Sequence, residues 1–523
     1  MSGSAAVATT IFGLAMAATL AIGVLSARGR NKGMAEWSLS SRGLGVLFIW
    51  LLMAGETYTS FSFLGTAGWS YSFGVPILYL VAYLTVGFAV AYVVGPALWT
   101  YASRHKLLSI ADMAEHRFRS RPVGILVAIV ATVFLVPYIQ VQIQGMGVVV
   151  NAMTYGSVGL RVAAVVSFVV AEAFILVSGL RGSAWVSVLK DVLVIAAVVF
   201  LAVWVPTHYL NGLGDFMNRM VREKPEWLTF PGHDSGGLNG TWFVSTLLLN
   251  AVTISVFPTT VAGYLSARSP NALRRNALLL PWYQLLLFIP MMVGAVALFA
   301  LPALDNPDLA LFRLVTDSLP APLVAVIGVA GALSAIVPMS VFMLAIGTLC
   351  GRTLLGGGNG TDPRSRARGR THRDTVPGSP EDVRVKRLSQ LVCFLAGLVA
   401  LAGSLFHPDT LVQLSVLSYE GLAQVVPLAL VSLFWRRMTA AAGVAGLFTG
   451  LGVVLLLWAT DNDPYHGVNG GVLGLAANLL VVLAVTRARP GTVPVRQADQ
   501  RDRRQAGRQD TRPVPPGARG EGE

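Results

Sequence analysis

Long apolar stretches recur through this chain, and the short connections between them alternate between basic and acidic. Together these features constrain the fold more than anything else in the sequence. A helix crossing the roughly 30 Å hydrocarbon core of a bilayer needs about 20 mostly apolar residues. Thirteen candidate spans start near residues 7, 43, 74, 122, 159, 183, 241, 277, 319, 387, 409, 439 and 470. Connections after the odd-numbered spans carry bases: Arg28, Arg30, Lys32 and Arg42; Arg104, Lys106, Arg117, Arg119 and Arg121; Arg181; Arg268, Arg274 and Arg275; a run from Arg352 to Arg387; Arg436 and Arg437; and an arginine-rich tail. Connections after the even-numbered spans carry acids such as Asp305, Asp308, Asp317, Asp409, Asp461 and Asp463. Basic connections stay cytoplasmic. The alternation therefore predicts an N-terminus outside, a C-terminus inside and no missed crossing.

Composition points the same way. Of 523 residues, 12% are charged and 54% hydrophobic, where a soluble domain is about 25% charged. The fold class is an all-α polytopic membrane protein, with residues 1–485 forming one transmembrane domain. No basic region precedes the first apolar segment, which reads as a retained span and not as a cleaved leader. Residues 356–384 and 487–523 are rich in Gly, Pro and charge, and are expected to be disordered. Their arginines, within a net charge of +13, suit the bilayer and its anionic lipids as partner, and no nucleic acid. Cys350 and Cys393 give no disulfide framework, and the histidines show no metal-ligand spacing. No Ser/His, HExxH or P-loop constellation suggests an enzyme or an organic cofactor. No repeated carbonyl-rich loop suggests a channel.

Two spans contain polar interruptions. Span 2 includes "GETYTSFSFLGTAGWSYSFG", where Glu56 is followed by the hydroxyls of Thr57, Tyr58, Thr59, Ser60 and Ser62. Span 7 includes "NAVTISVFPTTVAGYLSA", where Pro258 removes a helix hydrogen bond ahead of Thr259, Thr260 and Gly263. Irregular backbone at membrane depth occurs only where it lines a cavity or is packed in protein. Interruptions five spans apart point to a solute site between inverted five-helix repeats, spans 2–6 and 7–11. The bland alternative is a pair of kinked helices whose hydroxyls bond back to their own carbonyls.

The sequence resembles the sodium/solute symporter family, which has the leucine-transporter fold of two inverted five-helix repeats, and within it the monocarboxylate-uptake permease branch. The span 2 stretch carries the resemblance, with "WVSVLKDVLV" in span 6 and "SYEGLAQVVPLALVSLFWRRMTAAAGVAGLFTG" across spans 11–12. The resemblance implies that the carbonyls of Gly55 and Tyr58 face a bound Na+. It places Thr57 and Ser62 on the substrate, the Thr59 hydroxyl near the ion, and Asp191 on the path by which the ion leaves. The family's ion site also takes a Ser/Thr pair from the eighth core helix. Here those positions are Gly331 and Ala332, with Ser334 displaced nearby. Hard cations want oxygen ligands, so a water or Ser334 fills in, or the driving ion is a proton.

Ionisable groups at membrane depth cost roughly 2.5–3.5 kcal/mol on insertion scales and are functional candidates by default. Glu56 is read as a proton carrier or cation ligand, with a structural carboxylate as the plain alternative. Lys190 and Asp191 lie about two turns inside span 6. Adjacent helical residues do not share a face, so they are not expected to be each other's main partner, and Lys190 is expected to snorkel to the cytoplasmic surface. Glu172 and Glu420 are weaker candidates. In span 4, Gln140 and Gln144 share a face that either lines the cleft or holds helices together, while Gln142 points away. In span 8, Tyr283 or Gln284 reaches substrate. The resulting expectation is a secondary active symporter that imports a small organic solute, a monocarboxylate, with sodium or a proton. A sensor on the same fold and a facilitated-diffusion carrier stand beside it.

Overall fold

A computed structural model of the chain describes residues 3–27, 46–233, 237–350, 380–406, 409–435 and 437–488. Most of the two polar segments, 356–379 and 489–523, lies outside them. Residues 380–384, which the sequence assigns to a disordered loop, begin a helix instead. Pro380 stands at its first position. Proline, without an N–H to leave unpaired, favours a helix start.

The described residues are almost wholly helical, with a single isolated bridge between Tyr465 and Val468. The helices in chain order begin with α1 (Gly3–Ala27) and α2 (Val46–Thr57), then α3 (Thr66–Ser72), α4 (Tyr79–Arg104), α5 (Ile110–Phe118), α6 (Arg121–Met153) and α7 (Leu160–Tyr209). A short α8 (Leu213–Glu223) leads to α9 (Gly240–Thr253), α10 (Pro258–Ser266), α11 (Pro270–Gln284), α12 (Phe288–Ala300) and α13 (Ala310–Ser318). The last are α14 (Ala321–Cys350), α15 (Pro380–Phe406), α16 (Leu411–Ala423), α17 (Ala440–Ala459) and α18 (Gly470–Ala488).

Among the described residues, ten helical segments are long and apolar enough to cross a membrane, or eleven if the bent pair Leu411–Ala423 and Pro427–Phe434 is one span. These match eleven of the thirteen predicted spans. The two others fail for different reasons. Span 2 is broken into pieces too short to qualify. Span 5 shares one 50-residue helical run, α7, with span 6. Straight, that run would extend about 75 Å at 1.5 Å per residue, more than twice the hydrocarbon thickness.

Polarity is arranged as bilayer burial requires. Leu14, Val93, Leu278 and Leu480 are each 62–68% exposed at the periphery. Glu56, Lys190, Asp191, Glu172 and Glu420 are buried. Helix α14 is enclosed by the others and packs on α6 and α7. Close crossings rest on small residues, as they do where lipid offers no hydrophobic drive for association. Gly294 of α12 lies directly on the backbone of Ala67 in α3, which fixes the second half of the broken span. Two segments widen to π-helix: Phe61–Gly65, just before α3, and Pro427–Val431, after α16. Single-turn π segments inside helices mark one surplus residue and often lie at functional sites.

Candidate functional site

Both polar interruptions are real breaks, and they meet. Helix α2 ends at Thr57, Tyr58 and Thr59 leave the helix, and the π segment follows. Helix α9 ends at Thr253, residues 254–257 turn, and α10 restarts at Pro258 with Phe257 as its N-cap. Proline suits that restart because its missing N–H would have had no intrahelical partner. Across the gap the Thr259 hydroxyl donates to the Glu56 carboxylate. Thr260 faces the same carboxylate. The side-chain contact that joins the two breaks is thus centred on the buried Glu56.

The break in span 2 frees backbone groups, and their partners can be followed one by one. The Ser60 amide donates to Gln142 Oε1 at 3.3 Å. The Thr57 carbonyl accepts from the Ser62 hydroxyl at 2.7 Å. The carbonyls of Gly55 and Tyr58 both accept from Lys190 Nζ, the Tyr58 bond being 2.8 Å. Lys190 is fully buried, so the snorkelling expected from sequence does not occur. Its ammonium also lies 3.6 Å from Asp191 Oδ1. The expectation that these neighbours are not partners is corrected as well. Although their side chains leave the helix about 100° apart, the long lysine stem folds back far enough to pair. Space at Gly55 is tight: a Cβ would stand 3.2 Å from Ser187 Oγ and 3.4 Å from Nζ.

The other predicted residues fall into separate groups. Thr57 donates to the Ala54 carbonyl at 2.9 Å and accepts from Gln284 Nε2 at 2.8 Å. The hydroxyls of Thr57 and Ser62 therefore bond back to the chain, the plain reading of a kinked helix, while Thr59 is fully buried beside them. Tyr283 donates to Asp191 at 3.2 Å, and its ring packs edge-on against Trp50 and Tyr58. It belongs with the Lys190 group. Gln140 turns toward Gly403 of α15, away from the break. Gln144 is partly buried one turn further along α6. Gln142, set aside by the face argument, is the glutamine bonded to the break. Ser334 bonds back to Ala330 at 2.9 Å. Gly331 abuts Val149, Phe312 and Phe63, and Ala332 is fully buried.

Sequence reasoning missed an aromatic cluster on the α10 side. Phe257 packs with Tyr138, Phe342 and Tyr419, ring centroids 5.0–6.2 Å apart. The Tyr419 hydroxyl reaches that of Tyr83 at 3.3 Å. Nothing in local spacing joins these rings. The one signal was that Phe257 directly precedes Pro258.

Chemically, the site joins a buried acid, a buried base and a second acid to two broken helices. Such groups deep in a bundle fit the passage of a polar solute across the bilayer and define a multi-pass membrane transport protein. The sequence profile described as the sodium:solute symporter family matches residues 37–351. The chain belongs to that family. A protein of Bacillus subtilis (strain 168) described as the uncharacterized symporter YhjB is 32% identical, the match covering 91% of this chain and 96% of that one. A monocarboxylate transport permease protein of Rhizobium johnstonii is 25% identical over 88% of this chain and 92% of its own. The solved structure of a Na+-coupled sialic acid symporter, in a substrate-bound outward-open state, superposes with a TM-score of 0.71 at 15% identity, covering 93% of this chain and 99% of that one. This likeness shows that the chain shares the polytopic helical fold of that symporter.

The family name raises the question of whether sodium fits. The two carbonyls that the resemblance assigns to the ion hold an ammonium, and Gly331 and Ala332 bring no side-chain oxygen. The residues present at this position do not form a sodium cage.

Asp191 offers a direct test of the Lys190 group. Asp191→Asn keeps an oxygen for Tyr283 but removes the charge facing Nζ. The maximal uptake rate is expected to fall about tenfold, roughly 1.4 kcal/mol, with half-saturating solute little changed. A raised half-saturation at an unaltered maximal rate would instead place Asp191 on the solute.

Proposed function

We propose that this protein is a secondary active symporter that imports a small organic solute, a monocarboxylate, together with a cation by alternating access. The observation that carries the reading is the bridge from Glu56 to Thr259, which brings both broken helices to one buried locus. Broken helices at matching places in two halves hold solute near the midplane in many carriers. Spans 2–6 and 7–11 serve as the inverted repeats, with the N-terminus outside and the C-terminus inside. The solute carboxylate meets the N-terminus of α10, where first-turn amides and the helix dipole favour an anion. Thr259 and Thr260 lie in that turn, and the rings of Phe257, Tyr138 and Tyr419 receive the apolar part. The name of the Rhizobium relative supports the solute class. The family and the names of its members support symport, and the driving ion is sodium or a proton.

Purified protein in liposomes tests this. Labelled pyruvate, lactate and acetate are offered under an imposed gradient of protons and, separately, of sodium. Accumulation of one of them above the outside concentration is expected. Uptake that stops at equal concentrations identifies facilitated diffusion, and no uptake of any acid rejects the solute class.

A further inference from the structure

We propose that the Lys190 ammonium is a built-in substitute for the transported sodium ion, and that this protein works without sodium. The inference rests on the reading as a symporter and specifies its coupling ion.

Two departures in the chain complement one another. On one side oxygens are missing: Gly331 and Ala332 stand where the resemblance calls for hydroxyls. On the other side a cation is present: Nζ bonds the two carbonyls that would otherwise face the ion. An alkylammonium carries three N–H donors and no acceptor. Nζ donates to the carbonyls of Gly55 and Tyr58, the latter at 2.8 Å, and forms an ion pair with Asp191 at 3.6 Å. The Asp191 carboxylate beside Nζ favours its charged form. Glu56, on α2, is the next charge facing it, and Tyr283 holds Asp191 from α11.

Ion and ammonium exclude one another here. Sodium needs several oxygens at close range, and two of those available are spent on Nζ. A second positive charge within a few ångströms of Nζ in a low-dielectric interior would be strongly repelled.

Sodium binding can be measured without knowing the solute. The full chain in detergent is assayed for 22Na+ binding by scintillation proximity, and its Tm is recorded in sodium chloride and in choline chloride. Wild type is expected to bind no 22Na+ that excess unlabelled sodium displaces, and to melt at the same temperature in both salts. Lys190→Ala leaves the carbonyls and Asp191 bare, and is expected to gain displaceable 22Na+ binding and a higher Tm in sodium. In liposomes, wild-type pyruvate uptake is expected to run at equal rates in sodium and choline. Stoichiometric 22Na+ binding by wild type, unaltered in Lys190→Ala, would overturn the proposal. If Lys190→Ala does not fold, the wild-type measurement decides alone. If no carboxylate is taken up, the solute reading fails while the sodium measurement still stands.

Discussion

Replacing Glu56 with alanine is expected to bring solute uptake to background. The carboxylate has two tasks, the second of them shared with Asp191. It accepts from Thr259 across the gap between the broken helices, and it supplies negative charge near Lys190. Alanine leaves the threonine hydroxyl without this acceptor and Lys190 with Asp191 as its remaining acid close by. Breaking a buried charged arrangement by removing one member costs about 3–5 kcal/mol. Applied to the transport barrier, that amounts to a fall on the order of a thousandfold. Glu56→Gln keeps an oxygen for Thr259 and loses only charge, so it should fall between wild type and alanine. Uptake per folded molecule in liposomes, normalised by size-exclusion yield, separates transport from folding. An alanine variant working at the wild-type rate would remove Glu56 from the site.

Gly294→Ala is expected to cost assembly itself. A Cβ there would stand 2.7 Å from the Ala67 carbonyl carbon and closer still to its oxygen. Both atoms are backbone, and no rotamer change relieves the clash. Helix α12 would have to withdraw from α3, the half-helix that follows the break. Overpacking of a tight contact costs about 1–3 kcal/mol, and more where backbone must move. A lower yield of monodisperse protein and a clear fall in Tm are expected. Gly13→Ala provides the control, since a Cβ at Gly13 meets nothing within 4 Å. Equal behaviour of the two variants would mean that the contact between α12 and α3 is not tight.

Much of the architecture was legible because the bilayer imposes simple rules on sequence. Length and apolarity placed eleven spans that the structure recovers as membrane-crossing helices. Glu56 and Pro258 stood out because acids and prolines are costly at that depth, and the structure brings their segments together. Lys190 was harder to read. From helix geometry alone it belonged at the surface, because the rule for adjacent residues ignores the reach of a four-carbon stem. The missing oxygens at Gly331 and Ala332 and the extra cation beside Asp191 were both visible. Read jointly, they point to one substitution of charge for charge. Gln142 illustrates a different limit. Its bond to the Ser60 amide depends on how α6 is rotated against the break, which no periodicity within α6 records. The rings of Tyr138, Phe257 and Tyr419 come from three separate helices or their ends, so their meeting is purely tertiary.

The widened turn at Phe61–Gly65 has a bearing on how this protein tolerates insertion and deletion. Such a turn stores one extra unit of chain in the helical pitch. Deleting one residue there would restore ordinary winding with little loss of length. Because the wide turn absorbs that unit locally, the phase of α2 relative to α3 would change little, whereas deleting one residue from the regular turns of α2 would turn what lies on one side of the cut by roughly 100° relative to the other. Ordinary substitutions along this stretch test chemistry, whereas a single-codon excision from α2 tests phase.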